Sequence, residues 1–307
     1  VEQKLLDPKT IFKLRVLEEL SKQETLKFSD LARELGLGDK EVVDLISELK
    51  SNYLLKVEDS SVIWAAGDNP SRIKPWGWVY TYKSIVGSTM HVARRLPPWS
   101  IVISEYQVYG YGRHGKEWIS DLGGVWITLK APLEEHVAQY LPIALPVLLC
   151  EFFREKFEVS AMIKWPNDIV VNGKKLAGTI IEGEYFGNRL HVYVGVGINV
   201  NNEPRLERAI SLKNITGKLT PRNRIIAYLS GLMGRIEKYL EDYSKLQAMY
   251  LELLETLGRK VAVVSLSGGV IVGRVSGVTE TGDIIVDTGS EKLRLSSTEI
   301  FELRYVE

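Results

Sequence analysis

Between residues 79 and 200 the chain offers seven strand-like runs: VYTYKSI, SIVISEYQV, GVWITLK, AMIKW, DIVVN, KLAGTIIEGEYF and RLHVYVGVGINV. Only one long helical stretch, around 133 to 157, lies among them. Antiparallel neighbours can be joined by a tight turn, whereas parallel neighbours need a crossover, usually a helix. Runs joined mostly by short turns therefore predict a mixed, largely antiparallel sheet with helices on one face. Pro142 and Pro146 each remove a backbone donor from the helical stretch, which predicts a kink or break there.

The flanks have different periods. Residues 11 to 20, 28 to 35 and 39 to 51 carry apolar residues at helical spacing, with GLG at 36 to 38 separating the last two and Ser29 and Asp39 placed as N-caps. Two β-prone runs, YLLKVE and VIWAA, come next around the turn DSS. Three helices and a hairpin form the pattern of a winged helix-turn-helix, a module often used to read DNA. Its charge argues otherwise: residues 1 to 66 hold ten Lys and Arg against thirteen Asp and Glu, a net of −3. Phosphate attraction supplies most non-specific DNA affinity, so a protein contact or a vestigial role is favoured over operator binding. Residues 67 to 78, with two prolines and two glycines, read as a linker. Residues 221 to 256 are helical in period, with Pro221 at the first turn. From Gly258 onward, short strands with glycine-rich turns read as a small SH3-like β-barrel. The expected class is α+β, with domains at 1–66, 79–256 and 257–307 and the linker at 67–78.

Bulk charge narrows the function classes. Lys plus Arg equal Asp plus Glu at 39 each, so no overall field steers the chain to nucleic acid or an anionic membrane. The single cysteine, Cys150, lies in the apolar run LPVLLCEFF and reads as a buried inert thiol in a reducing, cytoplasmic setting. There is no charged segment followed by an apolar one at the N-terminus, and no apolar span of about 18 residues. His91, His114, His136 and His191 lie far apart and outside any metal motif, so no metal site is expected. There is no GxSxG nucleophile elbow either.

The stretch GYGRHGKEW, residues 110 to 118, fits both the GxGxxG dinucleotide pattern and most of a phosphate loop. Both devices deliver a phosphate to a helix N-terminus. The chain instead continues as WISDLGGVWITLK, in which Gly123 and Gly124 break it and a strand begins, so the helix is missing. The residue types still permit close backbone approach and gather Arg113, His114 and Lys116 on one loop. The plainer alternative is a hairpin turn with solvated basic residues.

Two further motifs favour a functional loop. In KWPNDIVVNGKKLAG, residues 164 to 178, Trp165-Pro166 restricts the backbone before Asn167 and Asp168, fixing the directions of an amide and a carboxylate. The strand DIVVN then turns at Asn172-Gly173 and returns through Lys175 to Gly178, although such a hairpin also serves as plain scaffolding. In GVGINVN, residues 195 to 201, Gly195 and Gly197 would let a partner pack flush on a strand ending at Asn199, or mark a bulge or barrel corner.

In order along the chain, GSTM (87–90), EYQ and GYGRHGKEW (105–118), KWPNDI with NGKKLAG (164–178) and GVGINVN (195–201) resemble the biotin protein ligase family. The resemblance implies a class II synthetase-like catalytic domain with an N-terminal winged helix and a C-terminal SH3-like domain, as in two-function bacterial members. It implies two steps: biotin and ATP, with Mg²⁺, give biotinyl-5'-AMP and pyrophosphate, and a lysine of a biotin carboxyl carrier protein then takes the biotinyl group. The first step brings two anions together, and like charges about 4 Å apart repel by about 4 kcal/mol at an effective dielectric near 20. By position match, Arg113, Lys175, Lys116 and Asp168 are the catalytic set. Biotin falls to Ser88, Thr89, Met90, Gln107, Gly110, Tyr111, Gly112, Arg113, Lys175, Gly178, Gly195 and Gly197. ATP falls to Arg113, Lys116, Trp118, Asn167, Lys175 and Asn199. Tyr111, Lys116 and Met90 depart from the residues common in the family. The resemblance also implies a homodimer and an operator DNA role for the first domain. A dedicated biotin-sensing repressor, and a lipoyl or octanoyl ligase of the same fold, are the competing readings.

Overall fold

The computed structural model describes residues 6 to 306. The chain opens with α1 (Pro8–Lys22), β1 (Thr25–Lys27), α2 (Phe28–Leu35), α3 (Asp39–Leu49), β2 (Leu55–Glu58) and β3 (Ser61–Trp64). Then come β4 (Val79–Val86), α4 (Thr89–Arg94), β5 (Ser100–Gln107), β6 (Val125–Leu133), α5 (Glu135–Ala138) and α6 (Leu141–Phe157). The hairpin strands β7 (Met162–Lys164), β8 (Asp168–Val171), β9 (Lys174–Phe186) and β10 (Arg189–Ile198) lead into α7 (Leu212–Thr216), α8 (Arg222–Ser230), α9 (Leu232–Leu240) and α10 (Tyr243–Leu253). The chain closes with β11 (Lys260–Ser265), β12 (Val270–Val278), β13 (Ile284–Asp287), β14 (Lys292–Leu295) and β15 (Ile300–Tyr305). These elements form two compact units: the chain up to Pro132 with Tyr193–Gly231, and Leu133–Val192 with Leu232 onward.

In the first unit, α1, α2 and α3 bury one apolar face each around Leu17, Leu31, Val42 and Ile46, with β1, β3 and β2 as an antiparallel sheet beside them. The caps fall one or two residues before the expected ones: Lys27 precedes α2, and Gly38 precedes α3 with Glu41 reaching back to its backbone N–H. Asp39 instead sits in the first turn of α3, where the helix dipole favours a carboxylate. Strands β4 and β5 are parallel, because α4 supplies the crossover between them. Strand β6 returns antiparallel to β5, and β10 lies beyond it, so the sheet is mixed. Tyr82 of β4 and Leu122 pack directly against the helical core, so the three helices and the sheet share apolar contacts.

Residues 68 to 70 are buried rather than solvated. Asp68 and Asn69 are buried, and Asn69 donates to the Leu20 carbonyl at 3.3 Å. Arg222, the first residue of α8, is fully buried beside them. Its Nε donates to Asp68 at 2.9 Å, and its two terminal nitrogens reach Glu105 at 2.6 and 3.3 Å. The Gly124 and Asp68 carbonyls take the remaining donors at 3.2 and 2.9 Å. Desolvation alone would lower the guanidinium pKa, but Asp68 and Glu105 outweigh it and raise it well above its usual value. Tyr53 lies under the guanidinium at 4.7 Å, and burial followed by the Glu105 charge pushes its hydroxyl well up, so it stays a neutral donor. Beyond this packed stretch, Trp76 is 97% exposed.

In the second unit, α6 packs along β7, β8 and β9, and α10 packs on α6. The expected break falls between α5 and α6, at Gln139 and Tyr140. Pro142 occupies the first turn of α6, where its missing N–H has no intrahelical partner to lose, and the helix runs on through Pro146. The helical period at 221–256 resolves into α8, α9 and α10, with Pro221 as the N-cap of the first. Cys150 is buried on α6, and burial pushes its thiol up to about 12. A maleimide should therefore label it only after unfolding in urea; labelling of the native chain at the rate of a free thiol would contradict that burial. Strands β14, β13, β12, β11 and β15 pair antiparallel in that order, an open arrangement among the described residues with β14 and β15 at its edges. No helix of the described residues is long and apolar enough to cross a membrane.

Candidate functional site

In the first unit the site is built on the end of β5 and the start of α4. Ser88 is the N-cap of α4, and Ser88, Thr89 and Met90 are all buried. The Gln107 amide oxygen accepts from the Thr89 backbone N–H at 2.8 Å and from its hydroxyl at 3.0 Å. The amide nitrogen donates to the Ser120 hydroxyl at 2.8 Å, and Thr128 donates to the Thr89 hydroxyl at 2.8 Å. One bonded chain thus fixes the orientation of every member before any ligand arrives. A Cβ on Gly110 would stand 2.6 Å from the Trp118 carbonyl and 2.9 Å from the Ser120 hydroxyl, so only glycine fits beside this chain.

The glycine loop is a short hairpin with a 3-10 turn at Arg113–Gly115. Tyr111 bridges Glu117, the Gly112 N–H donates to the Lys116 carbonyl at 2.8 Å, and the Trp118 N–H donates to the Gly110 carbonyl at 2.8 Å. It leads to β6 rather than to a helix, as the glycine pair at 123 and 124 implies. His114 through Glu117 form an exposed tip, while Arg113 is half-buried and lies 3.3 Å from the His114 ring. Tyr111 lies beside His91, with ring centroids 5.3 Å apart.

Trp118 packs edge-on against Trp126, with centroids 6.2 Å apart, and over Gly197 of β10. A Cβ at Gly197 would sit 2.5 Å from the indole. Gly197→Ala is expected to force the indole aside and to cost about 1–3 kcal/mol in a urea melt, the usual penalty for overpacking. Wild-type stability in that variant would show the contact to be slack. Asn199 is buried, and its side-chain carbonyl accepts from Asn202 at 2.9 Å.

In the second unit, β8 and β9 set Asp168 and Lys175 on the hairpin, where they form an ion pair at 2.6 Å. A register shift between Ile169 and Val170 puts Lys175 opposite Val170 and Gly178 opposite Asp168. Asn167 is engaged with Thr179: its amide donates to the Thr179 carbonyl, and the Thr179 N–H returns a bond to the Asn167 carbonyl at 3.1 Å. Trp165 anchors this turn, donating its indole N–H to the Gly282 carbonyl at 2.8 Å and its backbone N–H to Thr256 at 3.1 Å. Thr256 in turn lies 3.3 Å from the Tyr305 hydroxyl.

Of the residues predicted from sequence, the first unit therefore joins Thr89 and Gln107 in one bonded chain, with Ser88 and Met90 buried beside Thr89 at the start of α4, Gly110 against Gln107 and Ser120, and Trp118 over Gly197. The second gathers Asn167, Asp168, Lys175 and Gly178 on one hairpin. Ser120 and Thr128 carry no sequence signal of their own, because isolated hydroxyls have no period. Among the described residues no group of three or more His, Cys, Asp or Glu is placed to hold a metal ion.

Residues 88–199 match the model of the biotin/lipoate A/B protein ligase family, which spans both sets of residues. Over these residues the chain is similar to that family. The bifunctional ligase/repressor BirA of Bacillus subtilis is 27% identical over 241 residues, covering 71% of this chain and 72% of the relative. The biotin–[acetyl-CoA-carboxylase] ligase of Mycobacterium tuberculosis is 28% identical over 225 residues, covering 66% and 79%. The mixed α+β fold is similar to that of the biotin protein ligase from Aquifex aeolicus solved in complex with biotin and ATP. That match has 26% identity and a TM-score of 0.63, and covers 74% of this chain and 99% of that one.

Proposed function

We propose that this chain is an ATP-dependent biotin protein ligase. The observation that carries the reading is the preset Thr89–Gln107–Ser120 chain inside the family-matched residues 88–199, a set of fixed donors and acceptors suited to a small polar ring system. In the first step the biotin carboxylate attacks the α-phosphorus of ATP, and the bond to pyrophosphate breaks. In the second a carrier lysine amine attacks the mixed anhydride, and AMP leaves. The substrates supply both nucleophiles, so the protein's task is placement and charge compensation.

In this reading Arg113 meets the carboxylate and α-phosphate, Lys116 the terminal phosphates, and Lys175, aimed by Asp168, the oxygens on which charge grows. Ser88, Thr89, Met90, Gln107, Gly110, Tyr111 and Gly112 surround the ureido end of biotin, and Gly178, Gly195 and Gly197 its ring. Trp118, Asn167 and Asn199 take the adenosine. Mg²⁺ arrives on the ATP phosphates as part of the substrate. The partner is a biotin carboxyl carrier protein, and the setting is the cytoplasm. Residues 1–66 form a winged helix-turn-helix, 67–78 join it to a catalytic domain at 79–256, and 257–307 form an SH3-like domain; edge strands pair two copies into a dimer.

The test is ATP–pyrophosphate exchange with biotin, lipoate or octanoate as the acid. Exchange with biotin alone is expected; exchange with lipoate or octanoate but not biotin would overturn the reading. A second role, biotin-responsive DNA binding, draws on the relative named a ligase/repressor. A gel shift on the upstream DNA of biotin genes, with and without biotin and ATP, checks it.

A further inference from the structure

Glu105 and Gln107 stand two residues apart on β5, so their side chains leave the same face of the strand. Gln107 is one end of the hydrogen bond to Ser120, and Glu105 is held by the buried Arg222. The other end of that bond is tethered as well. Past Ser120, three successive residues are gripped: Asn52 donates to the Leu122 carbonyl at 3.2 Å, Tyr53 accepts from the Gly123 N–H at 3.0 Å, and Arg222 donates to the Gly124 carbonyl at 3.2 Å. Tyr53 closes the ring by donating to Glu105 at 3.0 Å, and Asn52 also reaches the Asn201 carbonyl at 2.9 Å.

We infer that Tyr53 and Asn52, together with Arg222, are positioning residues for the Gln107 amide, making the N-terminal helical segment a fixed structural part of the biotin end of the site. Two carboxylates and one guanidinium are buried at this junction, and Tyr53 both donates to Glu105 and covers the guanidinium, so lifting the segment away would take a donor from Glu105 and open the ion cluster to water. The exposed residues of α3 fit a support better than a reader of phosphates, since Asp39, Glu41 and Asp44 outnumber Lys40 there.

The inference rests on the ligase reading, and one assay separates the two. Biotin-dependent ATP–pyrophosphate exchange is measured on the full chain: absence of exchange in the wild type removes the ligase reading and this inference with it. Given exchange, Tyr53→Phe and Asn52→Ala are expected to raise KM for biotin about tenfold, as the loss of one or two buried hydrogen bonds would. KM for ATP and kcat should hold. Leu31→Ala, in the helical core but outside the junction's hydrogen bonds, should lower Tm and leave KM for biotin alone. Wild-type KM for biotin in both junction variants overturns the inference. So does a parallel change in KM for biotin, KM for ATP and kcat, or an equal rise in KM for biotin in Leu31→Ala. Should Tyr53→Phe fail to fold, Asn52→Ala, with its half-buried side chain, decides alone.

Discussion

Replacing Lys175 with alanine lowers biotin-dependent ATP–pyrophosphate exchange by about 100- to 1,000-fold, the usual cost of deleting one donor that stabilises transition-state charge. Stability barely moves, because the pair with Asp168 is about a third exposed (31% and 27%) and such pairs are worth about 0–1 kcal/mol. The two readouts pull apart, and that separation is the prediction. A variant with unchanged melting and lost exchange places Lys175 in the reaction; unchanged exchange removes it from the catalytic set. Lys175→Arg should recover part of the loss, since it keeps the charge but presents a planar fork instead of a compact ammonium. Asp168→Asn, which leaves the ammonium in place and weakens only its aim, should fall between.

Arg222→Met destabilises the chain by about 3–5 kcal/mol, because it leaves Asp68 and Glu105 buried with no cation. Glu105→Gln costs less. With one carboxylate neutralised, the guanidinium and Asp68 form a balanced pair, and the amide oxygen still accepts from Tyr53. The order of the two variants in urea unfolding thus tests the charge count of the junction, one cation against two anions. A loss below about 1 kcal/mol for Arg222→Met would mean that water or protonation relieves the carboxylates.

The seven central strand runs are legible because their alternation and turn signals are local, and all seven form strands. Strand β1 spans three residues, while α4 and α7 span six and five, too few for a period to register. Strand β15 has no turn signal of its own beyond the barrel-like stretch and merges with its tail. The Asp168–Lys175 pair is readable from the hairpin register around Asn172-Gly173, since both ends lie close in sequence. The Arg222 junction is not: its partners stand 117 and 154 residues away, and nothing local marks Asp68 as buried when its neighbours are glycine, asparagine and proline. The same distance hides Tyr53, whose place in a β-prone segment gives no sign that its hydroxyl is spent on Glu105 of β5 and the Gly123 N–H.

The order in which the junction's members leave the ribosome has its own consequence. Asp68 and Glu105 emerge long before Arg222, and the stretch from Leu133 to Val192, which belongs to the other unit, is synthesised in between. A nascent chain halted anywhere short of residue 222 holds two acids destined for the interior and no base to neutralise them. The first unit is thereby barred from final closure until residue 222 has been made, and fragments ending before α8 should be recovered as expanded, protease-sensitive species.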